Sequence, residues 1–462
     1  MSEPLGSAQR PLRVAIIGAG PAGFYTVEAL LKQKNLVCQI DIFNRFPTPY
    51  GLVREGVAPD HQSIKAVTRI YDKLAAHSSV RYFGNVTFGV DITRADLRAR
   101  YDQIVYAVGA QSDRRMGIPG EDLFGSMPAT AFVGWYNGRP DYRDLEVDLN
   151  VERVVVVGNG NVAMDVTRIL VSDPDDLAKT DIADHALAAL RQSKVREVVM
   201  LGRRGPAQAA FTNPELKEFG ELRGVDVIVD PADLDLDPLS EAALAEDKTA
   251  AKNVELLRTY AARGDTGAPR RIVMRFLVSP IAIHGVDGRV TGVTIERNRL
   301  VQAADGSLRP KGTGVTEELS CGMVLRSVGY RGEPLPDVPF DEASGTIPNR
   351  DGRVLNGPNG DPVPGEYVVG WIKRGPSGVI GTNKPDAVAT VNSMLADLPA
   401  LPGAPESDDI ADLLRSRGVD FVTFADWQRL DAYETAQGTA QGRPRVKVTR
   451  VDEMMDIIRA GR

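Results

Sequence analysis

Two stretches of the chain share one pattern of hydrophobic and polar positions. Residues 13–20, RVAIIGAG, form a short β-branched run that ends in glycines, and apolar residues at helical spacing follow. Residues 153–160, RVVVVGNG, begin the same pattern again. Each stretch predicts a buried strand, a glycine turn and an amphipathic helix, which is the start of a βαβ unit. The chain is therefore predicted to be α/β, with two Rossmann-like dinucleotide-binding folds in tandem.

Two further apolar runs predict where the chain passes between these folds. Residues 101–110, YDQIVYAVGA, close the first segment, and residues 322–330, GMVLRSVGY, close the second. We interpret both as domain crossings. The prediction is a first domain over 1–112 and 329–462 that is interrupted by a second domain over 113–328.

The C-terminal part of the chain predicts a helical tail on the first domain. The segments DIADLLRSR and VDEMMDIIRA carry apolar residues at helical spacing. The stretch between them that reads AQGTAQGRPR is polar and contains glycines, and it predicts a loop.

Composition restricts the classes of function. A length of 462 residues predicts two or three domains, and a net charge of −7 argues against nucleic acid as a partner. The apolar runs are too short to span a bilayer, and the first dozen residues do not resemble a secretory signal. Only two cysteines, Cys38 and Cys321, are present, which suits a reducing cytoplasm. With no CxxC pair and four scattered histidines, we expect no metal centre.

The first glycine turn, GAGPAG at 18–23, fits the dinucleotide fingerprint. Gly18 permits the tight turn, Gly20 allows close approach of a pyrophosphate, and Gly23 permits close packing of helix on strand. The free N–H groups of the following helix would face the phosphates. The position that usually holds an acidic ribose partner is Asn44, which can still hydrogen-bond a hydroxyl group.

The second turn, GNGNVA at 158–163, is followed by a strand that ends in LGRRGP. The end of this strand is where the ribose 2′ position of a nucleotide would lie. A carboxylate there favours NAD, whereas Arg203 and Arg204 favour the 2′-phosphate of NADP. A solvated basic turn is the alternative explanation. Two different dinucleotides in one chain suggest one that is retained and one that is exchanged, as with FAD and NADPH.

Taken together, these motifs resemble those of the adrenodoxin reductase-type ferredoxin–NADP(+) reductases, particularly the bacterial members. The most specific strings are PTPYGLVREGVAPDH and WIKRGPSGVIGTN; the others are IIGAGPAGFY, YAVGAQSDR, GNGNVAMD, GRRGPAQAAFTNPEL and LRSVGYRG. The resemblance covers nearly the whole chain. It implies FAD in the outer domain, NADP in the inserted domain, and transfer of electrons to a one-electron iron–sulfur carrier.

The resemblance also implies the residues of both cofactor sites. The implied FAD contacts, beyond the fingerprint glycines, are Ala22, Leu52, Phe88 through its backbone, Trp371, Gly378, Val379 and Ile380. Asn44 occupies the place of the family's acidic ribose partner, so its part in the site is open. The implied NADP contacts are Asn159, Gly160, Asn161, Val162, Arg203, Arg204, Arg114, Glu215 and Gly378.

His61 and Glu218 are the candidate catalytic residues. The resemblance places His61 near the flavin and the nicotinamide, where it and Glu218 could handle protons or place the ring. A hydrogen-bonded structural histidine is an equally good explanation. Asp60 is the candidate N-cap of the helix that follows. Hydride transfer needs stacked rings rather than a nucleophile, so a redox cysteine pair is not required.

The expected partner is an acidic ferredoxin or a flavodoxin, which could feed a cytochrome P450. An acidic partner requires a local positive face on a chain of net charge −7. The candidates for that face are Arg54, Lys65, Arg69, Arg331, Lys373, Arg374 and Lys384.

Other functions share the two fingerprints. A flavin monooxygenase or oxidase of a small molecule would carry both, but no additional substrate domain is evident. The small subunit of glutamate synthase has the same plan together with an N-terminal set of cysteines that this sequence does not show. A non-catalytic NADP(H)-binding protein would not need the two strings that belong to the flavin side.

Overall fold

The computed structural model describes residues 3–405 and 408–462, and it is an α/β structure built around two mainly parallel sheets. In chain order the strands are β1 (Leu12–Ile17), β2 (Cys38–Phe43), β3 (Val80–Phe83), β4 (Gln103–Tyr106), β5 (Ser112–Asp113), β6 (Ser126–Pro128), β7 (Arg153–Val157), β8 (Glu197–Gly202), β9 (Val225–Val229), β10 (Arg270–Phe276), β11 (Val278–Val286), β12 (Arg289–Gln302), β13 (Leu308–Ser320), β14 (Met323–Arg326), β15 (Tyr330–Arg331), β16 (Asn349–Arg350), β17 (Arg353–Leu355) and β18 (Pro362–Val368).

Helices alternate with the parallel strands and also form the C-terminal tail. In chain order they are α1 (Pro21–Leu31), α2 (Leu52–Glu55), α3 (Gln62–Lys65), α4 (Thr68–Ala75), α5 (Arg94–Arg100), α6 (Ala129–Asn137), α7 (Asn161–Val171), α8 (Pro174–Leu177), α9 (Asp184–Arg191), α10 (Asn213–Phe219), α11 (Pro238–Glu246), α12 (Lys248–Arg263), α13 (Trp371–Arg374), α14 (Asn383–Asp397), α15 (Ile410–Ser416), α16 (Phe424–Ala440) and α17 (Val451–Ala460). No helix in the described part of the chain is both long and apolar enough to cross a bilayer.

The first sheet has the strand order β16-β17-β18-β4-β1-β2-β3. The strands from β18 to β3 are parallel, and β16 and β17 join antiparallel at one edge. Successive residues of β1 enter two different cores: Val14 and Ile16 pack on one face, and Ala15 and Ile17 on the other. Burial on both faces explains why this strand is a continuous apolar run rather than an alternating one.

The second sheet has the strand order β6-β14-β7-β8-β10-β9, with every pair parallel. Strand β7 repeats the arrangement of β1, with Val154 and Val156 on one face and Val155 and Val157 on the other. The two sheets confirm the predicted α/β class with paired dinucleotide-type folds. Between them the chain crosses at β5 and β15, which pair antiparallel through Asp113 and Tyr330.

A three-stranded antiparallel sheet, β11-β12-β13, is an element that the sequence pattern did not predict. It follows directly from β10, and Leu277 turns the chain between them with a positive φ of 55°. Most of β13 is exposed, so its side chains show no strong apolar alternation. It pairs with β12 as a hairpin that closes through residues 303–307.

The C-terminal tail contains one helix more than the sequence predicted. Helices α15 and α17 fall on the two predicted segments, but α16 extends through Ala440, so the first half of the predicted loop is helical. Gly438 lies inside this helix because the backbone of Arg445 packs against it, where a Cβ atom would overlap the Arg445 Cα. The glycine therefore serves a close contact and does not end the helix.

Candidate functional site

The first glycine turn joins β1 to α1 with the geometry of a nucleotide fingerprint. Gly18 has a φ of 113°, and a Cβ atom there would clash with the carbonyl of Ala107. A Cβ on Gly23 would overlap the carbonyl oxygen of Gly18, so the helix packs directly on the turn. Gly20 is the N-cap of α1, and no side chain among the described residues caps this end. The N–H groups at this helix start are therefore available for an anion.

Two other segments close on the first turn. A Cβ on Gly51 would lie 3.0 Å from the Cα of Gly20, which brings the loop before Leu52 against the turn. A Cβ on Gly370, next to Trp371, would touch the side chain of Ala22. The structure therefore gathers the N-terminal turn, the PYGL loop and the GWIK segment in one place.

The side-chain amide of Asn44 fixes the loop after β2. Its Nδ2 donates to the carbonyls of Phe46 and Thr48 at 3.0 and 2.9 Å, and its Oδ1 accepts from the N–H of Ala19 at 3.3 Å. Both of its N–H donors are engaged within the protein. The predicted contact of Asn44 with a ribose stays a prediction.

The remaining predicted FAD contacts lie at the ends of the first sheet. Phe88 is half-buried, with its ring 6.0 Å from that of Tyr106. Trp371 lies 5.1 Å from the ring of Tyr330, on the strand by which the chain returns to the first sheet, and its indole N–H donates to the carbonyl of Ser377 at 3.1 Å. Within 378–380, Gly378 has a φ of 80° and Val379 is 60% exposed.

The second glycine turn repeats the geometry of the first. Gly158 has a φ of 133°, and a Cβ there would overlap the carbonyl of Ser327. Gly160 is the N-cap of α7, again with no cap from a described side chain, and the space beside its Cα is open to 4 Å. The carbonyl of Asn159 accepts from Ala210, and Oδ1 of Asn161 accepts from the N–H of Thr212 at 2.9 Å. The segment after the arginines thus fastens the turn, with the half-buried Val162 one residue further along α7.

Arg203 and Arg204 follow the last residue of β8. Arg203 is exposed and Arg204 is half-buried. Across residues 3–405 and 408–462, no hydrogen bond or ion pair engages either guanidinium group, nor that of the exposed Arg114. The backbone of the two residues, in contrast, is held: Asn298 donates to the Arg203 carbonyl at 2.9 Å and Leu277 to the Arg204 carbonyl at 3.1 Å.

We call the part of the chain that forms the first main sheet the first unit and the part that forms the second main sheet the second unit. A cluster of charged side chains joins the two units; we call it the charged cluster, and it comprises Asp60, His61, Asp165, Arg168, Glu215 and Glu218. Nε2 of His61 lies 3.0 Å from the carboxylate of Glu218, and Nδ1 lies 4.0 Å from that of Glu215. The guanidinium group of Arg168, 2% exposed, donates to Asp60 at 2.7 Å and to Asp165 at 2.7 Å. It also donates to Glu215 at 3.0 Å.

Burial raises the pKa of two carboxyl groups in this cluster, Glu215 and Asp165. It raises the pKa of Glu215 to about 7, and the nearby Asp165 carboxylate adds to the rise. Burial likewise raises the pKa of Asp165, against the attraction of Arg168. Both carboxyl groups therefore bind a proton more readily than an exposed carboxyl group does.

Sequence reasoning missed Asp165 and Arg168 and misassigned Asp60. Asp60 is not a helix cap: α3 begins after His61 with no side-chain cap, and the Asp60 carboxylate instead binds Arg168. The missed signal was a pair of opposite charges three residues apart in the otherwise apolar helix NVAMDVTRILV.

The structure also corrects the candidates for a positive surface. Arg54 is buried and donates to both carboxylate oxygens of Glu434, and Lys65 is buried against Asp181 at 2.7 Å. Both cations therefore belong to the interior. The other candidates are partly or fully exposed: Arg69, Arg331, Lys373, Arg374 and Lys384.

Comparisons with known proteins identify the family of the chain. A family described as pyridine nucleotide-disulphide oxidoreductase matches residues 12–217. The NADPH-ferredoxin reductase FprA of Mycobacterium tuberculosis is 50% identical over 460 residues, which cover 97% of this chain and 99% of that protein. The mitochondrial NADPH:adrenodoxin oxidoreductase of Arabidopsis thaliana is 39% identical, over 97% of this chain and 96% of that protein.

A solved structure shows the same likeness in three dimensions. Mycobacterium tuberculosis FprA in complex with NADPH matches with a TM-score of 0.91 at 49% identity, over 97% of this chain and 100% of that one. The disulphide chemistry in the family description has no counterpart here, because Cys38 and Cys321 are both free and buried.

Proposed function

The chain belongs to the adrenodoxin reductase-type ferredoxin–NADP(+) reductases, and from this premise we propose that it passes electrons from NADPH through FAD to a ferredoxin. The observation that carries the proposal is the difference between the two glycine turns. The first is followed by Asn44, whose amide is engaged internally, and the second by two arginines whose guanidinium groups have no partner among the described residues. Two unlike nucleotides, one retained and one exchanged, account for this difference.

The first turn fits FAD. Its glycines leave room for a pyrophosphate at the uncapped start of α1, and the PYGL and GWIK segments close around it. We propose that FAD is held by 1–112 and 329–462 and that NADP(H) is held by 113–328. The strands of the two main sheets divide between these parts of the chain. When bound, FAD accepts a hydride as an electron pair and can release single electrons.

The residues of the chain bind NADPH, orient its nicotinamide and supply a proton. Arg203 and Arg204 bind the 2′-phosphate of NADPH, and Asn159, Gly160, Asn161 and Val162 surround its pyrophosphate. His61 and Glu218 form a hydrogen-bonded pair that positions the nicotinamide, while Glu215 beneath them holds an exchangeable proton.

An experiment in three steps tests the proposal. The visible spectrum of the purified protein identifies the bound cofactor, anaerobic addition of NADPH or NADH tests the reductant, and an added ferredoxin tests the acceptor. We expect a flavin spectrum that bleaches faster with NADPH and recovers when ferredoxin is added. A colourless protein, or NADPH consumption that requires an organic substrate and oxygen, would contradict the proposal.

The double variant Arg203→Ala/Arg204→Ala tests how the nucleotide is chosen. Loss of two charged contacts to a phosphate should lower the preference for NADPH over NADH about 100-fold, with binding of NADH unchanged. The exposed Arg309→Ala, paired with Asp305 on the β12–β13 hairpin, is the matched control. A double variant that keeps the wild-type preference would show that the arginines do not contact the nucleotide.

The partner is proposed to be an acidic iron–sulfur protein, with flavodoxin as a second acceptor and a cytochrome P450 as a further recipient. The exposed Arg69 and Lys384 fit a docking face for such a protein, although Lys384 also pairs with Glu28 at 3.0 Å. Ferredoxin reduction should slow as ionic strength rises while reduction by NADPH changes less. A rate of ferredoxin reduction that is indifferent to salt would argue against charge-guided docking. The two free, buried thiols favour a reducing compartment such as the cytoplasm.

A further inference from the structure

The loop that carries Arg203 and Arg204 is held in place by residues of a different part of the second unit. We propose that Asn298 is a positioning residue that sets the preference for a nucleotide with a phosphate on its ribose 2′ oxygen. The inference rests on the proposed function, because it requires that the two arginines read this phosphate.

Asn298 lies in β12 and is 6% exposed. Its Nδ2 donates to the Arg203 carbonyl at 2.9 Å and to Oγ of Ser279 at 2.7 Å. Its backbone N–H donates to the carbonyl of Leu277, and the N–H of Leu277 in turn donates to the Arg204 carbonyl at 3.1 Å. The side-chain amide of Asn298 thus holds the backbone of Arg203 directly, and its backbone N–H acts on that of Arg204 through Leu277.

Leu277 adopts a backbone conformation that a leucine rarely takes, with a φ of 55°. Such a conformation costs free energy and persists only where the surroundings impose it. Here it turns the chain from β10 into β11 and keeps the Leu277 N–H directed at Arg204. The hydrogen bond from Asn298 to the Leu277 carbonyl holds that turn.

The pairing register of the antiparallel sheet aims Asn298 at the loop. Between Glu296 and Asn298 the pairing of β12 with β13 shifts, because residues 313–315 of β13 bulge opposite the single residue Arg297 of β12. Arg297 forms an ion pair with the buried Asp233 at 2.8 Å, and Asp233 accepts from the N–H of Phe276 at the end of β10. Arg297, opposite this bulge of β13, is therefore tied to the second parallel sheet.

This arrangement fixes the backbone of the loop and leaves its guanidinium groups available. Because the two Cα positions are set before the nucleotide arrives, binding does not have to order the loop. The antiparallel sheet, which the sequence did not predict, thus holds the loop that selects the nucleotide.

The test compares 2′,5′-ADP with 5′-ADP on the FAD-loaded enzyme, because these fragments differ only in the 2′-phosphate and carry no nicotinamide. Asn298→Ala should weaken binding of 2′,5′-ADP about fivefold, the effect of one hydrogen bond, and leave 5′-ADP unchanged. In turnover, the KM for NADPH should rise by the same factor while kcat and the KM for NADH stay constant. Ser279→Ala is the matched control, since it removes the other partner of the amide and keeps the bond to Arg203.

Asn298→Thr repeats the test with a residue that suits a strand but cannot reach Arg203, in case the alanine variant loses its fold. Equal weakening of both fragments would indicate a general structural defect and would overturn the inference. Wild-type discrimination by both Asn298 variants, with discrimination lost in Arg203→Ala/Arg204→Ala, would also overturn it but would leave the proposed function intact. If Arg203→Ala/Arg204→Ala prefers 2′,5′-ADP over 5′-ADP as strongly as wild type does, these arginines do not bind the 2′-phosphate. That result would contradict the proposed function, on which the role of Asn298 depends.

Discussion

At the scale of single residues, the side chain of His61 connects the first unit to the second. It follows the PTPYGLVREGVAPD string of the first unit, yet its ring contacts Glu218 and Glu215 on α10 of the second. A change in the distance between the two units would therefore change these contacts of the His61 ring. Its contacts favour a positioning role over an isolated structural one.

His61→Ala should slow flavin reduction by NADPH about tenfold without lowering FAD content, because the nicotinamide loses a group that places it. Stopped-flow absorbance measures the rate, and the ratio of visible to ultraviolet absorbance measures FAD content. His77→Ala, an exposed histidine of the same unit, is the control. Reduction at the wild-type rate would refute the positioning role.

The residue types at the end of β8 could be predicted from the sequence, whereas contacts between segments far apart in the sequence could not. The position of Arg203 and Arg204 follows from the fingerprint and the strand after it, all within about fifty residues. The ion pair of Asp60 with Arg168 joins residues 108 positions apart, and no local pattern reports it. For the same reason Asp60 was assigned to a cap, the nearest local explanation.

At the scale of elements, the glycines of the two turns serve two different purposes. A methyl group on Gly23 has no room beneath the Gly18 carbonyl, whereas the space beside Gly160 is open in the protein itself. Gly23 therefore serves packing within the fold. Gly160, like Gly20 in the first turn, leaves space for a ligand.

Paired alanine substitutions separate these two uses of glycine. Gly23→Ala should lower the free energy of unfolding by about 2 kcal/mol, because backbone must shift to admit the methyl group. Gly160→Ala should leave that free energy within about 0.5 kcal/mol of wild type and weaken binding of NADP+. Denaturant unfolding and nucleotide titration measure the two quantities. Equal loss of stability in both variants would contradict the distinction.

Elements with strong local patterns were predictable, and elements defined by pairing were not. Strands β1 and β7 are continuous apolar runs because both of their faces are buried. The antiparallel sheet depends on a bulge and on a largely exposed strand, so its pattern is weak. The sequence did not predict helix α16, and it predicts a loop where the end of this helix lies, because Gly438 indicates a loop locally while serving a tertiary contact.

At the scale of the whole molecule, a basic segment near the C-terminus fastens the two units together. Lys447 is buried and donates to the carbonyls of Arg54 and Asn137 at 2.9 and 3.1 Å. It also lies 3.4 Å from Asp181, which pairs with Lys65. Arg54 and Lys65, two of the cations that the sequence analysis names as candidates for the surface, therefore belong to this interior junction.

Asp181→Asn should destabilise the protein by about 3–5 kcal/mol, because it leaves two buried ammonium groups without their shared carboxylate. Burial alone would raise the pKa of Asp181, but Lys447 and Lys65 lower it to about 2. Its folded pKa is below its unfolded value, so its contribution is present above about pH 4 and is lost as the pH falls toward 2. The two proteins should therefore converge in stability at low pH.

Denaturant unfolding over this pH range measures the difference. Asp144→Asn is the control, since Asp144 also binds a cation of the C-terminal segment, Arg450, but is exposed. That variant should change stability little. A difference between wild type and Asp181→Asn that persists undiminished at pH 2 would show that the carboxylate is not the source of the effect.

The hydrogen-bonded pair formed by β5 and β15 has a practical consequence. The segment of chain between these strands leaves and returns at neighbouring points, through Asp113 and Tyr330. Its two junctions can therefore be cut and rejoined without stretching the part that remains. Transplanting this segment from a relative with another coenzyme preference would need two closely spaced splices, which makes the molecule a natural host for chimeras.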